Sequence, residues 1–105
     1  MSIFIGLVAC PSQEVGSALA KLLVDRELAA CVQVLPPMQS VYRWKGEVCI
    51  DTEVLLLIKS SRHLKDEVQK AVEENHPYEV PEFVVIDAAD VSEKYSAWLL
   101  ANVRK

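Results

Sequence analysis

The segment HPYEVPE, residues 76–82, combines side chains that can bind metal with two prolines that restrict the backbone. His76 offers an imidazole nitrogen, a common ligand of copper and zinc. Glu79 and Glu82 offer carboxylate oxygens, although such side chains are more often solvated on the surface. Pro77 disfavours helix at the residue before it, so the segment is also expected to end a helix and lead into a strand. The segment therefore allows two interpretations, a metal site and a structural corner.

Thiolate ligands could come from three cysteines, Cys10, Cys31 and Cys49. An odd number without CxxC spacing argues against a disulfide framework or a structural zinc site. Free cysteines usually pack as small hydrophobic residues, and Cys31, within an apolar strand, fits that role. Cys10 ends a strand just before Pro11, where a loop could expose it. Cys10 and His76 are therefore the candidate metal ligands.

Other chemistry has less support in the sequence. There is no Ser/His/Asp order, glycine-rich phosphate loop or paired-carboxylate motif, so we expect a protein that is not an enzyme. Tyr42 and Trp44 alternate along a strand and could stack on a flat ligand, but packing between subunits is the simpler role.

Composition narrows the possible partners. The 105 residues carry a net charge of −4, and the eleven basic residues are scattered, which argues against nucleic acid. No apolar run reaches the roughly 18 residues that span a bilayer, so no membrane partner is expected. The N-terminus lacks the basic start and cleavage site of a signal peptide, so we predict a cytoplasmic protein. Residues 1–105 are predicted to form one domain.

Hydrophobic periodicity predicts the elements that would position these side chains. Strands are predicted at 3–10, 28–35, 39–47, 48–59 and 83–88, and a turn at Lys45-Gly46 is predicted to join 39–47 to the long strand 48–59 as a hairpin. Helices are predicted to begin at Ser12, at Ser60 or Ser61, and at Ser92. The order is β-α-β-β-α-β with a terminal helix, the split βαβ pattern of a ferredoxin-like α+β sandwich.

Two features of the predicted sheet indicate association with further copies of the chain. Three of its strands are apolar on both faces, whereas the two crossover helices cover only one face. The terminal helix is too short to cover the whole second face, and a large bare apolar patch is unusual on a monomer. The long hairpin also overhangs the sheet, and exposed strand edges invite partners.

Four segments in order carry a family resemblance: LAACV at 28–32, YRWKGE at 42–47, EVLLLIK at 53–59 and HPYEVPE at 76–82. Together with Tyr95 and Trp98 they closely resemble the CutA family of divalent-cation-tolerance proteins. The resemblance covers nearly the whole chain.

The resemblance implies a ferredoxin-like fold in a homotrimer whose hairpins reach between subunits, and a link to tolerance of copper and other divalent cations. It also implies copper or another divalent cation as the bound ion, with His76 as the ligand that matches the motif. A second histidine of some members is Asn75 here, and their strand-one cysteine falls on Val8, with Cys10 two residues on. An alternative is a PII-like trimeric sensor that binds a small metabolite in subunit clefts, or an anchoring trimer. The conformation of residues 88–92 cannot be predicted, because this loop departs from the family pattern.

Overall fold

The computed structural model describes residues 2–105. Its five strands and three helices follow one another along the chain with short connections. The strands are β1 (Ile3–Cys10), β2 (Cys31–Val34), β3 (Met38–Trp44), β4 (Glu47–Ser61) and β5 (Val84–Asp87), and the helices are α1 (Gln13–Asp25), α2 (Lys65–Asn75) and α3 (Glu93–Ala101).

The sheet has the order β2-β4-β1-β5, and β3 pairs with the first half of β4. All of these pairings are antiparallel. Helix α1 connects β1 to β2, and α2 connects β4 to β5. This arrangement confirms the predicted ferredoxin-like α+β sandwich with a C-terminal helix.

The predicted hairpin is present and is longer than a usual strand pair. Strand β4 has 15 residues and pairs with β2 along one half and with β3 along the other. Pro36 and Pro37 separate β2 from β3, because proline has no amide hydrogen to donate to the ladder. Lys45 and Gly46 both have positive φ, 49° and 82°, the geometry of the tight turn that joins twisted antiparallel strands.

The predicted start of α1 is confirmed, but the predicted start of the second helix at Ser60 or Ser61 is wrong, because α2 begins at Lys65. The Ser12 hydroxyl accepts a hydrogen bond from the Val15 amide at 3.2 Å and so caps α1. Strand β4 extends to Ser61, two residues beyond its predicted end, and a 3₁₀ turn at Arg62–Leu64 leads into α2. Helix α2 stops at Asn75, and His76 is extended with ψ of 139°, as the following Pro77 requires.

The core lies between the sheet and the helices α1 and α2. On this face of the sheet, Phe4, Val8, Leu56 and Ile58 are completely buried. The opposite face is only partly covered: α3 lies against β4, with the Lys59 ammonium 5.8 Å from the Tyr95 ring centre.

At the sheet edge on this second face, Val84 and Ile86 of β5 remain 48% exposed. The terminal helix therefore leaves apolar surface uncovered, as predicted. The loop 88–92 before α3 has no regular secondary structure, and its first residue, Ala88, donates its amide hydrogen to the Ile3 carbonyl at 3.0 Å.

Candidate functional site

The corner formed by HPYEVPE packs against the end of β1. His76 is buried, and its Nε2 lies 2.7 Å from the carbonyl oxygen of Ala9. Its Nδ1 lies 3.1 Å from the amide nitrogen of Tyr78, and the two rings are 4.7 Å apart. The imidazole thus connects α2, the corner and β1.

These two bonds determine which ring nitrogen carries hydrogen. A carbonyl oxygen can only accept, so Nε2 of His76 must be the donor to Ala9. The Tyr78 amide donates to Nδ1, which must therefore hold a lone pair. His76 is the neutral Nε2–H tautomer, and both nitrogens are occupied. In this arrangement the ring holds the corner in place.

The second candidate ligand, Cys10, follows Ala9 directly and is completely buried. Burial raises the pKa of its thiol to about 11, with further contributions from the negative charges of Glu53 and Glu82. The structure therefore places Cys10 one residue from the His76 contact, as a protonated thiol and not at an exposed loop as predicted. Cys31 and Cys49 are partly buried, and all three cysteines are unpaired.

Beside the corner lies a cavity of about 650 Å³. Its walls come from the end of β1, the hairpin strands β3 and β4, and the corner. The lining residues are Ala9, Ser40, Val41, Tyr42, Trp44, Glu53, Pro77, Tyr78, Glu79, Val80 and Glu82. Two of the expected aromatics, Tyr42 and Trp44, thus face the same space as the two carboxylates of the motif.

Two tyrosine hydroxyls at this cavity form hydrogen bonds with carboxylates. The Tyr78 hydroxyl donates to the Glu53 carboxylate at 2.8 Å, and the Tyr42 hydroxyl donates to that of Asp51. The bond to Asp51 raises the pKa of Tyr42 to about 12. The pKa of Tyr78 is also raised, mainly by burial and secondly by its hydrogen bond to Glu53. Burial and the charge of Glu53 raise the pKa of Glu82. Three carboxylates, those of Glu53, Glu79 and Glu82, line the cavity, and none of its lining residues is basic.

Within residues 2–105 no three histidine, cysteine or acidic side chains converge closely enough to hold a metal ion. His76 and Cys10 are brought near one another, but as a hydrogen-bonded imidazole and a buried thiol. That they ligate a metal stays a prediction. Sequence reasoning gave no role to Glu53 or to the Tyr78 hydroxyl. The sequence offered only a weak sign of Glu53, a single carboxylate directly before the apolar residues 54–58.

The structure is that of a ferredoxin-like protein with a long overhanging hairpin. In it, His76 connects the corner to the end of β1 through a hydrogen bond. The sequence profile of the family described as "CutA1 divalent ion tolerance protein" matches residues 4–102. The chain belongs to this family.

Individual relatives agree with that assignment. The divalent-cation tolerance protein CutA of Thermus thermophilus is 44% identical over 96 residues, which cover 91% of this chain and 93% of the relative. The chloroplastic CutA protein of Arabidopsis thaliana is 40% identical over 92% of this chain, but the match spans only 53% of that longer protein.

Solved structures give the same result for the fold. The crystal structure of CutA1 from Oryza sativa superposes with a TM-score of 0.97 at 36% identity, covering 100% of this chain and 96% of that one. The Thermus thermophilus protein has a TM-score of 0.94 at 41% identity, with 97% and 99% covered. No helix within residues 2–105 is long and apolar enough to cross a membrane.

Proposed function

We propose that this protein is a cytoplasmic, non-enzymatic homotrimer that contributes to divalent-cation tolerance by weakly binding copper or another divalent cation. Family membership supports the tolerance role. Binding of the cation is proposed at the junction of the corner with β1, where His76 and Cys10 are the predicted ligands.

The observation that carries this site is that the corner and β1 bring the two predicted ligands, His76 and Cys10, near one another. The imidazole of His76 bonds to the residue next to Cys10, and the charge of Glu82 acts on the Cys10 thiol. Imidazole and thiol suit copper and zinc, and a carboxylate can add an oxygen ligand. A bound cation would also offset the negative charge that raises the pKa of the thiol.

The same geometry explains why binding should be weak. A cation at His76 must displace either the Tyr78 amide from Nδ1 or the Ala9 carbonyl from Nε2–H. A cation at Cys10 must displace a proton that this thiol holds more tightly than an ordinary cysteine does, because burial raises its pKa. Both displacements make the free energy of metal binding less favourable. Metal affinity should also fall as pH is lowered, because protons compete with the cation for the same lone pairs.

Calorimetric titration with Cu(II) and Zn(II) tests the ligands, using His76→Ala and Cys10→Ser. Each variant should bind at least about tenfold more weakly. The only other histidine, His63, is exposed, and His63→Ala is the matched control that should keep wild-type affinity. A His76→Ala protein with unchanged affinity would remove the proposed site and leave the corner a structural role only.

The trimer is supported by the uncovered surface. Val84 and Ile86 on the second sheet face, and Val41, Val48 and Ile50 on the hairpin, are exposed apolar side chains on one chain. Light scattering should give three times the 11.7 kDa chain mass. Val84→Asp should shift the mass downward while circular dichroism stays unchanged. A wild-type mass of one chain at micromolar concentration would contradict the proposal.

A further inference from the structure

Arg104 connects the end of the chain to three separate parts of the helical side of the fold. Its backbone amide donates to the Glu27 carbonyl at 2.9 Å, and its Nε donates to the Arg26 carbonyl at 2.9 Å, both just after α1. Its Nη1 lies 3.4 Å from the carboxylate of Glu67 in α2. Its carbonyl accepts from Nε2 of His63, in the 3₁₀ turn after β4, at 2.9 Å. The last residue but one is therefore held through both its backbone and its side chain.

The residues on either side of these bonds indicate a built contact. Val103, directly before Arg104, is buried and belongs to the hydrophobic core. Glu27, which accepts from the Arg104 amide, has a φ of 58°, a left-handed conformation usually taken by glycine after a helix. A residue other than glycine keeps such a conformation where the surrounding structure holds it. Val103 and Arg104 therefore form a C-terminal clasp with one apolar and one hydrogen-bonded part.

Helix α3, which precedes the clasp, has few contacts of its own. Of its nine residues only Leu99 is buried, while Tyr95 and Trp98 are 37% and 46% exposed. Its cap residue, Ser92, forms no side-chain capping hydrogen bond within residues 2–105. An isolated helix of this length is at best marginally stable in water. The helix therefore depends on the segments at its two ends, which are the loop 88–92 and the clasp.

The clasp should open more easily than the core. The ion pair between Arg104 and Glu67 is about half exposed on both sides, and exposed pairs contribute little to stability. Opening removes only Val103 from the core and leaves the packing of α1 and α2 on the sheet in place. Segments held by few buried apolar groups and by exposed hydrogen bonds open locally at a free energy below that of global unfolding.

We propose that the C-terminal clasp controls the attachment of α3, so that its opening lets residues 89–105 detach from the second sheet face while the five strands, α1 and α2 stay folded. Detachment uncovers the side of β4 on which Leu55, Leu57 and Lys59 are now partly buried. The clasp is thus a conformational device that connects the helical side of the fold to the opposite face of the sheet.

The consequence for assembly rests on the proposed homotrimer. The subunit contacts proposed on the second face include Val84 and Ile86 of β5, and α3 lies on the same face against β4. A detached α3 changes the shape of that face. Opening of the clasp should therefore weaken the association of subunits.

Hydrogen–deuterium exchange on the full-length protein tests the clasp. Arg104→Met keeps the apolar part of the side chain and removes the bond to Arg26 and the ion pair with Glu67. Amides of α3 should then exchange about three- to tenfold faster than in the wild type. Lys105→Met removes the same charge from an exposed side chain one residue later, and this matched control should leave α3 unchanged.

A second variant lacks residues 104–105 and so also loses the backbone bonds to Glu27 and His63. Its α3 amides should exchange about tenfold faster or more, while those of β1 and the middle of α1 should exchange as in the wild type. Unchanged exchange in α3 would overturn the proposal. Equal acceleration in β1 would also overturn it, because the clasp would then stabilise only the chain as a whole.

Light scattering at decreasing protein concentration separates this proposal from the homotrimer. Trimers of Arg104→Met should dissociate at a concentration about threefold higher or more than those of the wild type. Faster exchange in α3 with unchanged trimer dissociation would overturn the link to assembly. A wild-type mass of one chain would contradict the homotrimer, and the exchange experiment would still decide whether the clasp controls α3.

Discussion

The two halves of β4 have the same backbone conformation and opposite environments. From Val54 to Ser61 the strand lies in the middle of the sheet between β1 and β2, and its alternate side chains are completely buried. From Glu47 to Glu53 it pairs only with β3, and most of its side chains are exposed on both faces. The boundary falls where β1 ends, because Cys10 is the last residue of β1 to pair with β4, opposite Val54.

This difference shows that the two halves are stabilised by different means. Burial against α1 and α2 stabilises the second half. The first half depends on local contacts: the Lys45-Gly46 turn, the Tyr42–Asp51 hydrogen bond and the bond from Arg43 to the Gly46 carbonyl at 3.3 Å. Isolated two-stranded hairpins are marginally stable in water, so this half requires the rest of the sheet or a neighbouring chain.

The largest expected loss of stability comes from a charged substitution in the buried half of β4, whereas the same substitution in the exposed half should be tolerated. Leu56→Asp places an unpaired charge at a completely buried position and should cost at least about 3–5 kcal/mol, enough to unfold most of the protein. Ile50→Asp, six residues earlier on the same strand and 62% exposed, should keep the folded circular dichroism spectrum. Comparable loss of structure in both variants would contradict the division of β4.

Replacing one glycine in each region separates packing from backbone strain. A Cβ at Gly16 of α1 would lie 3.0 Å from Val54 Cγ2, so Gly16→Val should cost about 1–3 kcal/mol or more through overpacking. Gly46 has open space around it but φ of +82°, so Gly46→Val should cost about 1–2 kcal/mol through backbone strain alone.

Asparagine distinguishes the two causes, because it tolerates the left-handed region. Urea unfolding should find Gly46→Asn near the wild type and Gly16→Asn clearly destabilised. A strong loss of stability in Gly46→Asn would show that the turn is limited by something other than its φ angle.

A smaller effect is the pH dependence of stability that arises from Cys10, which lies at the boundary between the two halves of β4. The folded protein holds the Cys10 proton up to a pKa of about 11, above the ordinary 9.0. Between these values the unfolded chain releases the proton and the folded chain keeps it, so the free energy of unfolding should fall as pH rises, by at most about 1.4 kcal/mol per pH unit. Urea unfolding of Cys10→Ser should lack this component, and Cys49→Ser should retain it. Identical pH profiles for the wild type and Cys10→Ser would refute the assignment.

Much of the fold could be predicted because local signals and burial agree. Apolar runs marked the strands, and Ser12, Pro77 and the Lys45-Gly46 pair marked the places where elements begin, end or turn. The prediction for the end of β4 was two residues short, because Ser60 and Ser61 have the residue type of a helix cap. In the structure Ser60 is instead buried, and its hydroxyl donates to the Leu28 carbonyl 32 residues away. Such a long-range contact has no signal in the local sequence.

The candidate site was less predictable for the same reason. The motif drew attention to His76 as a candidate ligand, but it gave no sign of the ring's partner, the Ala9 carbonyl, which is 67 residues distant. Cys10 was expected at an exposed loop because Pro11 follows it, but it is completely buried as part of the hydrophobic core. In the sequence Glu53 cannot be distinguished from a surface carboxylate. Only the structure shows that it lies beside the end of β1 and accepts a hydrogen bond from the Tyr78 hydroxyl.

The continuity of β4 also has a consequence for altering the protein by insertion. Because side chains alternate with a period of two, adding two residues to each arm next to the Lys45-Gly46 turn would lengthen the hairpin by about 7 Å and leave every side chain on its present face. Adding one residue to a single arm would instead force a bulge or exchange the faces beyond it. The reach of the hairpin can therefore change in steps, without alteration of Val54 or of any residue that follows it in the core.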